Sequence, residues 1–115
     1  MSTPFTATLS SLARHRGVLG VMVASERDGI AVESQVQVGV DVDAVAALAA
    51  SLHRRARLAS SAAGYGASSF LTVEAERGRL CAAGRGDLVL VVVAGAPVNV
   101  GLLRVEMLRA VERFA

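Results

Sequence analysis

Three charged side chains stand together in the stretch VASERDGIAVES, where an apolar run stops and an alternating run begins. Glu26, Arg27 and Asp28 precede Gly29, and two carboxylates beside a guanidinium form a set of groups that could move protons. The competing interpretation is a turn, because Asp-Gly supplies the positive φ angles that hairpins require. The sequence favours the turn, with the three charges at the solvated tip of a hairpin and a contact with a partner as their only other role.

Other candidates for chemistry stand alone in the sequence. His15 and His53 are isolated, and Cys81 has no nearby His or Cys, so no metal site is expected. Both histidines are predicted to lie on the surface, and Cys81 is predicted to be a small core residue. All twelve positive side chains are arginines, which excludes a P-loop lysine and a Schiff-base amine. We therefore expect no cofactor and no enzymatic activity.

Length and composition limit the class of protein. A chain of 115 residues with 53% apolar and 19% charged residues fits one globular domain, residues 1–115. The mean hydropathy of +0.51 suggests that a second copy or a partner covers apolar surface. No apolar run approaches the roughly 20 residues that cross a bilayer, and the N-terminus lacks a signal-peptide pattern. We expect a cytoplasmic protein without membrane insertion.

Hydrophobic periodicity predicts eight elements. Thr3 is a candidate N-cap with Pro4 at the first helical position, and Asp41 and Asn99 are candidate caps of the later helices. Hairpin-like connections dominate, which indicates a mainly antiparallel five-stranded α+β sheet with the long helix on one face and two helices on the other. The predicted elements are a helix over Pro4–Arg16, strands over Val18–Ser25 and Ile30–Ser34, a helix over Val42–Ala63, strands over Ser69–Ala75, Leu80–Ala83 and Leu88–Ala94, and a last helix through Phe114.

The long second helix is apolar on more than one face. Its predicted core stripe is Val42, Val45, Ala49, Leu52, Ala56, Ala59 and Ala63. A further small and largely apolar face consists of Ala44, Ala47, Ser51 and Leu58, with Arg55 among them. One sheet covers only one side of a helix, so a symmetric dimer is the favoured cover for this face. The alternative is an alanine-rich surface that is tolerated in water.

The run SFLTVEA is the predicted free edge of the sheet. Phe70, Thr72 and Glu74 alternate with apolar neighbours, and the run has no proline and one charge. An unprotected edge of this kind invites pairing with its own copy. Coverage of the edge by a loop is the alternative.

The segment HRRAR is the one concentration of positive charge. It is predicted to project His53, Arg54 and Arg57 toward water, where they could dock an acidic partner surface. A solvated face that keeps the helix soluble is the favoured interpretation. Nucleic acid is not expected as a partner, because few aromatic residues are present to stack on bases. The GRGD segment from Gly84 to Asp87 is interpreted as a turn.

Four stretches, in this order, resemble the roadblock/dynein-light-chain family. They are GVLGVMVASERDGIAVES, VDAVAALAASLHRRARLASSAAGYG, SSFLTVEAERGRLCAAGRGDLVLVVVA and NVGLLRVEMLRAV. The chain is most similar to the bacterial MglB-like members, which are partners of small Ras-like GTPases. The resemblance implies an α-β-β-α-β-β-β-α domain with sheet order 2-1-5-4-3. It also implies a homodimer in which the third strands pair and the second helices pack side by side.

The resemblance implies a function without chemistry of the protein's own. The expected function is a homodimeric regulator or scaffold of a Ras-like small GTPase, and it could activate GTP hydrolysis by positioning the GTPase's own groups. The alternative is a self-assembling scaffold or sensor subunit with no effect on GTP hydrolysis. A small-molecule sensory domain is the third hypothesis, but the core stripes offer no convergent polar groups.

Overall fold

A computed structural model describes residues 3–114, which fold into eight elements in the predicted order. The elements are α1 (Thr6–Ala13), β1 (Val18–Ser25), β2 (Ala31–Val36), α2 (Val42–Ala62), β3 (Leu71–Ala75), β4 (Gly78–Arg85), β5 (Leu88–Ala94) and α3 (Val100–Val111).

The five strands form one antiparallel sheet with the order β2-β1-β5-β4-β3, which confirms the predicted fold class. Tight connections join β1 to β2 and β4 to β5, and Gly29 and Gly86 have φ angles of 67° and 61° there. These values are in the left-handed region that glycine adopts without strain. The two connections lie at the same end of the sheet, because Ser25 pairs with Leu88.

Alternating side chains of β1 and β5 build a separate core on each face of the sheet. Val21, Val23 and Leu90 pack with α1 and α3. Met22 and Val91 pack on the other face with α2. The long helix therefore covers one face alone, as predicted. None of the helices that the structure describes is both long and apolar enough to span a bilayer.

The helix starts follow local chemistry in two cases of three. The Asp41 carboxylate accepts a hydrogen bond from the Ala44 N–H at 3.1 Å, and Asn99 accepts from the Leu102 N–H at 3.0 Å. The prediction for α1 is wrong: it begins at Thr6, and Phe5 at its N-cap makes no side-chain hydrogen bond. Thr3 Oγ1 accepts from the Phe5 N–H instead, so the residues before α1 form a turn of their own.

The ends of the strands that are bounded by polar residues differ from the predicted ends. β4 spans Gly78–Arg85 and exceeds the predicted Leu80–Ala83, because its pairing with β5 continues from Arg79 to Arg85. β2 extends to Val36, and β3 begins only at Leu71. Main-chain pairing in the ladder is insensitive to side-chain polarity, so alternation alone places these ends too early or too late.

Candidate functional site

A cluster of ionisable side chains fastens α2 to the end of the sheet. His53 Nδ1 lies 2.6 Å from Glu26 Oε2, and Arg57 Nη2 donates to Glu26 Oε1 at 2.5 Å. The Glu26 and His53 side chains are only 9% and 7% exposed. His53 and Arg57 are four residues apart on one face of the helix, so both reach the same carboxylate. We call these three residues the Glu26 cluster.

The Glu26 cluster overturns two sequence-based predictions. His53 was expected to project toward water, but it follows the buried Ala46, Ala49 and Ala50 at helical spacing and points at the sheet. Glu26 was expected at a solvated tip, and its carboxylate turns inward to His53 and Arg57. Arg27 and Asp28 are exposed, so the turn interpretation holds for them.

Gly84 of β4 makes room for the His53 ring. An ideal Cβ on Gly84 would lie 2.5 Å from His53 Cε1 and 2.6 Å from Nε2. A histidine that is hydrogen-bonded to a carboxylate also occurs in hydrolytic triads, where the carboxylate orients the imidazole. Here the imidazole is pressed against the β4 main chain, with no space on that side for a nucleophile or a substrate atom. The arrangement serves as an anchor of α2.

Asp87 connects the two turns at the same end of the sheet. Its carboxylate accepts from the Ser25 hydroxyl at 2.6 Å and from the Arg27 N–H at 2.8 Å. The Glu26 N–H donates to the Asp87 carbonyl at 2.8 Å. The hydrogen bonds from Ser25 and then Arg27 lower the pKa of Asp87 below its ordinary value. The turn predicted for GRGD is present, and Asp87 in addition fixes the β1–β2 turn that carries Glu26.

The remaining ionisable candidates, His15 and Cys81, are at least half-buried. His15 is half-buried and forms a hydrogen bond with Glu106, so its predicted surface position is wrong in part. Cys81 is buried as predicted, and burial raises the pKa of its thiol, which disfavours the reactive thiolate. Within residues 3–114 no group of three or more His, Cys, Asp or Glu side chains is arranged to hold a metal ion.

The Glu26 cluster predicts an acid-labile fold. Burial raises the pKa of Glu26, but the hydrogen bonds and charges of Arg57 and His53 outweigh it and hold the pKa below 4.5. A lowered carboxyl pKa stabilises the fold above the unfolded-state pKa, and this stabilisation is lost as pH falls through the folded-state value. Urea unfolding from pH 7 to pH 3 should therefore show a falling free energy of unfolding below about pH 4.5. Glu26→Gln should flatten that decline, whereas the exposed Glu76→Gln should leave it unchanged.

The outer face of α2 carries exposed leucines. Leu48, Leu58 and Leu52 are 63%, 51% and 40% exposed. Leu52 was predicted in the core stripe together with Ala59 and Ala63, and all three are exposed. The helix turns Ala46, Ala49, Ala50 and His53 to the sheet, which is roughly a quarter turn from the predicted stripe. Small side chains let α2 lie close to the sheet and leave its leucines outside.

The predicted interface residues of α2 are all exposed, and they border a groove. Ala44, Ala47, Ser51, Arg55 and Leu58 are accessible. Four of them, without Ala44, line a groove of about 430 Å³ between α2 and the β1–β2 turn, beside Arg54. At 100° per residue, Leu48 and Leu52 lie on the flank of α2 that faces away from this turn. The helix thus presents two exposed flanks.

β3 is an edge strand, because among the strands of residues 3–114 it pairs with β4 alone. Residues 72–75 are exposed, so the outer edge is accessible as predicted. Thr72 contacts Cys81 on the α1–α3 side of the sheet. Phe70 precedes the strand and packs on that same side, with Arg104 5.9 Å from its ring centre. Leu71 and Val73 lie on the α2 side, where sequence reasoning had placed no interface residue.

The fold and these surfaces define a class: an antiparallel α+β domain with exposed leucines on its long helix and a free strand edge. The chain belongs to the Roadblock/LC7 domain family, which matches residues 5–94. The resemblance drawn from the sequence is confirmed.

Relatives in curated and structural comparisons span nearly the whole chain. The uncharacterized protein MJ0714 of Methanocaldococcus jannaschii is 35% identical over 106 residues, which are 92% of this chain and 89% of the relative. The Roadblock/LC7 domain from Streptomyces avermitilis has a TM-score of 0.80 at 24% identity, covering 90% of this chain and 88% of the other. Myxococcus xanthus MglB has a TM-score of 0.79 at 20% identity, with 96% and 93% covered.

Proposed function

We propose that this protein is a homodimeric, non-enzymatic regulator or scaffold of a Ras-like small GTPase, acting in the cytoplasm of a bacterium. The observation that carries the proposal is the set of exposed leucines on α2, together with the free β3 edge, in a fold shared with MglB. Burial of these side chains would remove an apolar surface that a monomer leaves in water.

The proposed dimer joins the two surfaces across one two-fold axis. Pairing of β3 with its copy would satisfy main-chain groups that are unpaired at the edge. The same axis would bring together the α2 flank with Leu48 and Leu52 and the α2-side residue Val73. The originally predicted residues on α2, together with Phe70, Thr72 and Glu74, remain proposed as the wider interface, with Phe70 on the far side of the sheet.

The proposed partner-docking surface includes only part of the HRRAR segment. His53 is buried and Arg57 is bound by Glu26. These two residues are therefore proposed to support the docking surface by holding α2 against the β1–β2 turn. Arg54 is exposed beside the groove at the β1–β2 turn, together with Arg27. Their positive charge would steer an acidic surface of the GTPase to the dimer. Any activation would arise from positioning the catalytic groups of the GTPase itself.

GTP turnover by a Ras-like GTPase from the same host should rise when the purified protein is added. Arg54→Ala should weaken GTP-dependent binding about fivefold to tenfold, as expected for a charge-assisted contact at a rim. Arg77→Ala is the matched control, because Arg77 is an exposed arginine in the β3–β4 turn and should leave binding unchanged.

Two outcomes separate the alternatives. Unchanged turnover and absence of GTP-dependent binding would remove the regulatory proposal. Equal capture of partners in GTP and GDP, with an intact dimer, would instead support a self-assembling scaffold or sensor subunit that has no effect on hydrolysis.

A further inference from the structure

A groove runs between α1 and α3 on the face of the sheet opposite α2. Its wider part has a volume of about 520 Å³ and is lined by Phe5, Ala7, Leu88 and Phe114 among others. A second cavity of about 180 Å³ adjoins it and shares Thr8, Ser11 and Arg113 as lining residues. The two cavities therefore form one elongated channel along both helices, which we call the α1–α3 groove.

The wider part of the α1–α3 groove has an apolar floor. The rings of Phe5 and Phe114 meet edge to face, with centroids 5.2 Å apart and planes at 74°. Phe114 is buried and Phe5 is half-buried. Ala7 adds a small exposed surface beside them. A floor of this kind accommodates one bulky apolar side chain.

The rim of the α1–α3 groove is positively charged. Arg109 of α3 and Arg113, in the turn that follows α3, both line the groove, and Thr8 and Ser11 offer hydroxyls from α1 across it. The one carboxylate of the lining, Glu106, is engaged by His15. Among residues 3–114, no side chain or main-chain carbonyl accepts a hydrogen bond from either guanidinium within the distance and angle limits of a hydrogen bond. Arginine forks above an apolar floor suit carboxylates that are attached to an apolar body.

We propose that the α1–α3 groove binds an acidic peptide segment of a partner protein. A bulky apolar side chain of the segment packs on Phe5 and Phe114, and neighbouring carboxylates accept hydrogen bonds from Arg113 and Arg109. A peptide suits the elongated shape, since residues 5–11 alone extend about 9 Å along the groove. The site lies on the sheet face opposite α2, and no residue of β3 lines it. We therefore expect it to stay open in the proposed dimer and to act independently of GTPase binding.

The test uses the full chain and a fluorescein-labelled ten-residue peptide of leucine, phenylalanine and glutamate. Fluorescence anisotropy should detect binding, and amide NMR shifts should map to α1 and α3. Arg113→Gln should weaken binding about tenfold, because it removes a charge-assisted hydrogen bond. Ala7→Glu should weaken it similarly by repulsion, whereas Ala7→Gln, which fills the same space without charge, should weaken it much less. Arg77→Gln should leave binding unchanged.

Several results would overturn the proposal. These are unperturbed amides in α1 and α3 at millimolar peptide, equal binding of the peptide with glutamine in place of glutamate, or equal binding by Arg113→Gln. Phenylacetate that binds as tightly as the peptide would assign the groove to small carboxylates. GTP turnover measured on the Arg113→Gln protein should be unchanged, so failure here and failure of the regulatory proposal are distinguishable.

Discussion

Gly84→Ala should lower the free energy of unfolding by roughly 2–3 kcal/mol, although alanine normally favours a strand by about 0.5–1 kcal/mol over glycine. The added methyl would lie 2.5 Å from the His53 ring and 3.2 Å from the Leu88 carbonyl oxygen. The ring cannot move outward without breaking its hydrogen bond to Glu26. A shift of His53 would also leave the buried carboxylate with one partner fewer, which adds a desolvation penalty.

A double-mutant cycle should identify His53 as the side chain that obstructs the added methyl group. In a His53→Ala background the methyl of Gly84→Ala enters vacated space, and it should be neutral or stabilising by about 0.5 kcal/mol. Urea denaturation at pH 7 with an unchanged m-value gives the free energies. Gly101→Ala in α3 is the matched control, and it should stabilise by about 1 kcal/mol, since nothing lies closer than 3.5 Å to its Cβ position. Additive effects of Gly84→Ala and His53→Ala would contradict the proposed contact.

Local chemistry made much of the fold predictable. The caps at Asp41 and Asn99 and the turn at Gly29 follow from a few consecutive residues, and the structure has all three. The element order and the antiparallel sheet follow from hairpins of this kind. The failure at α1 has the same origin, because Thr3 and Pro4 satisfy the cap pattern while Thr3 serves the turn before the helix.

The rotation of α2 could not be predicted from its composition. Alanine occupies both buried and exposed positions, so the contrast that normally marks the core stripe is absent. Because leucine is the more hydrophobic residue, the pattern predicts that Leu52 lies in the core. In the structure Ala46 and Ala50 occupy the core. Leu48 was overlooked for the same reason. Close packing of small residues decided the outcome, and periodicity does not report the distance between a helix and a sheet.

The Glu26 cluster was missed because its members are far apart in the chain. Glu26 lies in a turn, whereas His53 and Arg57 lie on a helix, and each one taken alone reads as a solvated side chain. A buried charge requires partners, so they could be paired only once the topology brought the ends of β1 and β4 beneath α2. The one available signal was the i, i+4 spacing of His53 and Arg57, which lets two side chains contact the same carboxylate.

Leu48→Glu should dissociate the proposed dimer and leave the monomer folded. Leu48 is 63% exposed in the single chain, so the substitution removes no core packing. In the dimer the two-fold axis would place a buried carboxylate in each α2, and an unpaired buried charge costs several kcal/mol. The dissociation constant should therefore rise at least a hundredfold, equivalent to about 2.7 kcal/mol. Light scattering and analytical ultracentrifugation at micromolar protein should report a monomer with unchanged helical circular dichroism.

Two variants decide which flank of α2 forms the seam. Val38→Glu makes the same change on a fully exposed side chain in the β2–α2 connection and should leave the dimer intact. Ala47→Glu places the charge on the other flank, in the groove beside the β1–β2 turn. A dimer that breaks with Leu48→Glu and persists with Ala47→Glu assigns the seam to the flank that carries Leu48 and leaves the groove free for the GTPase. The reverse result would move the seam to the groove, and a dimer that withstands both would show that α2 is not the interface.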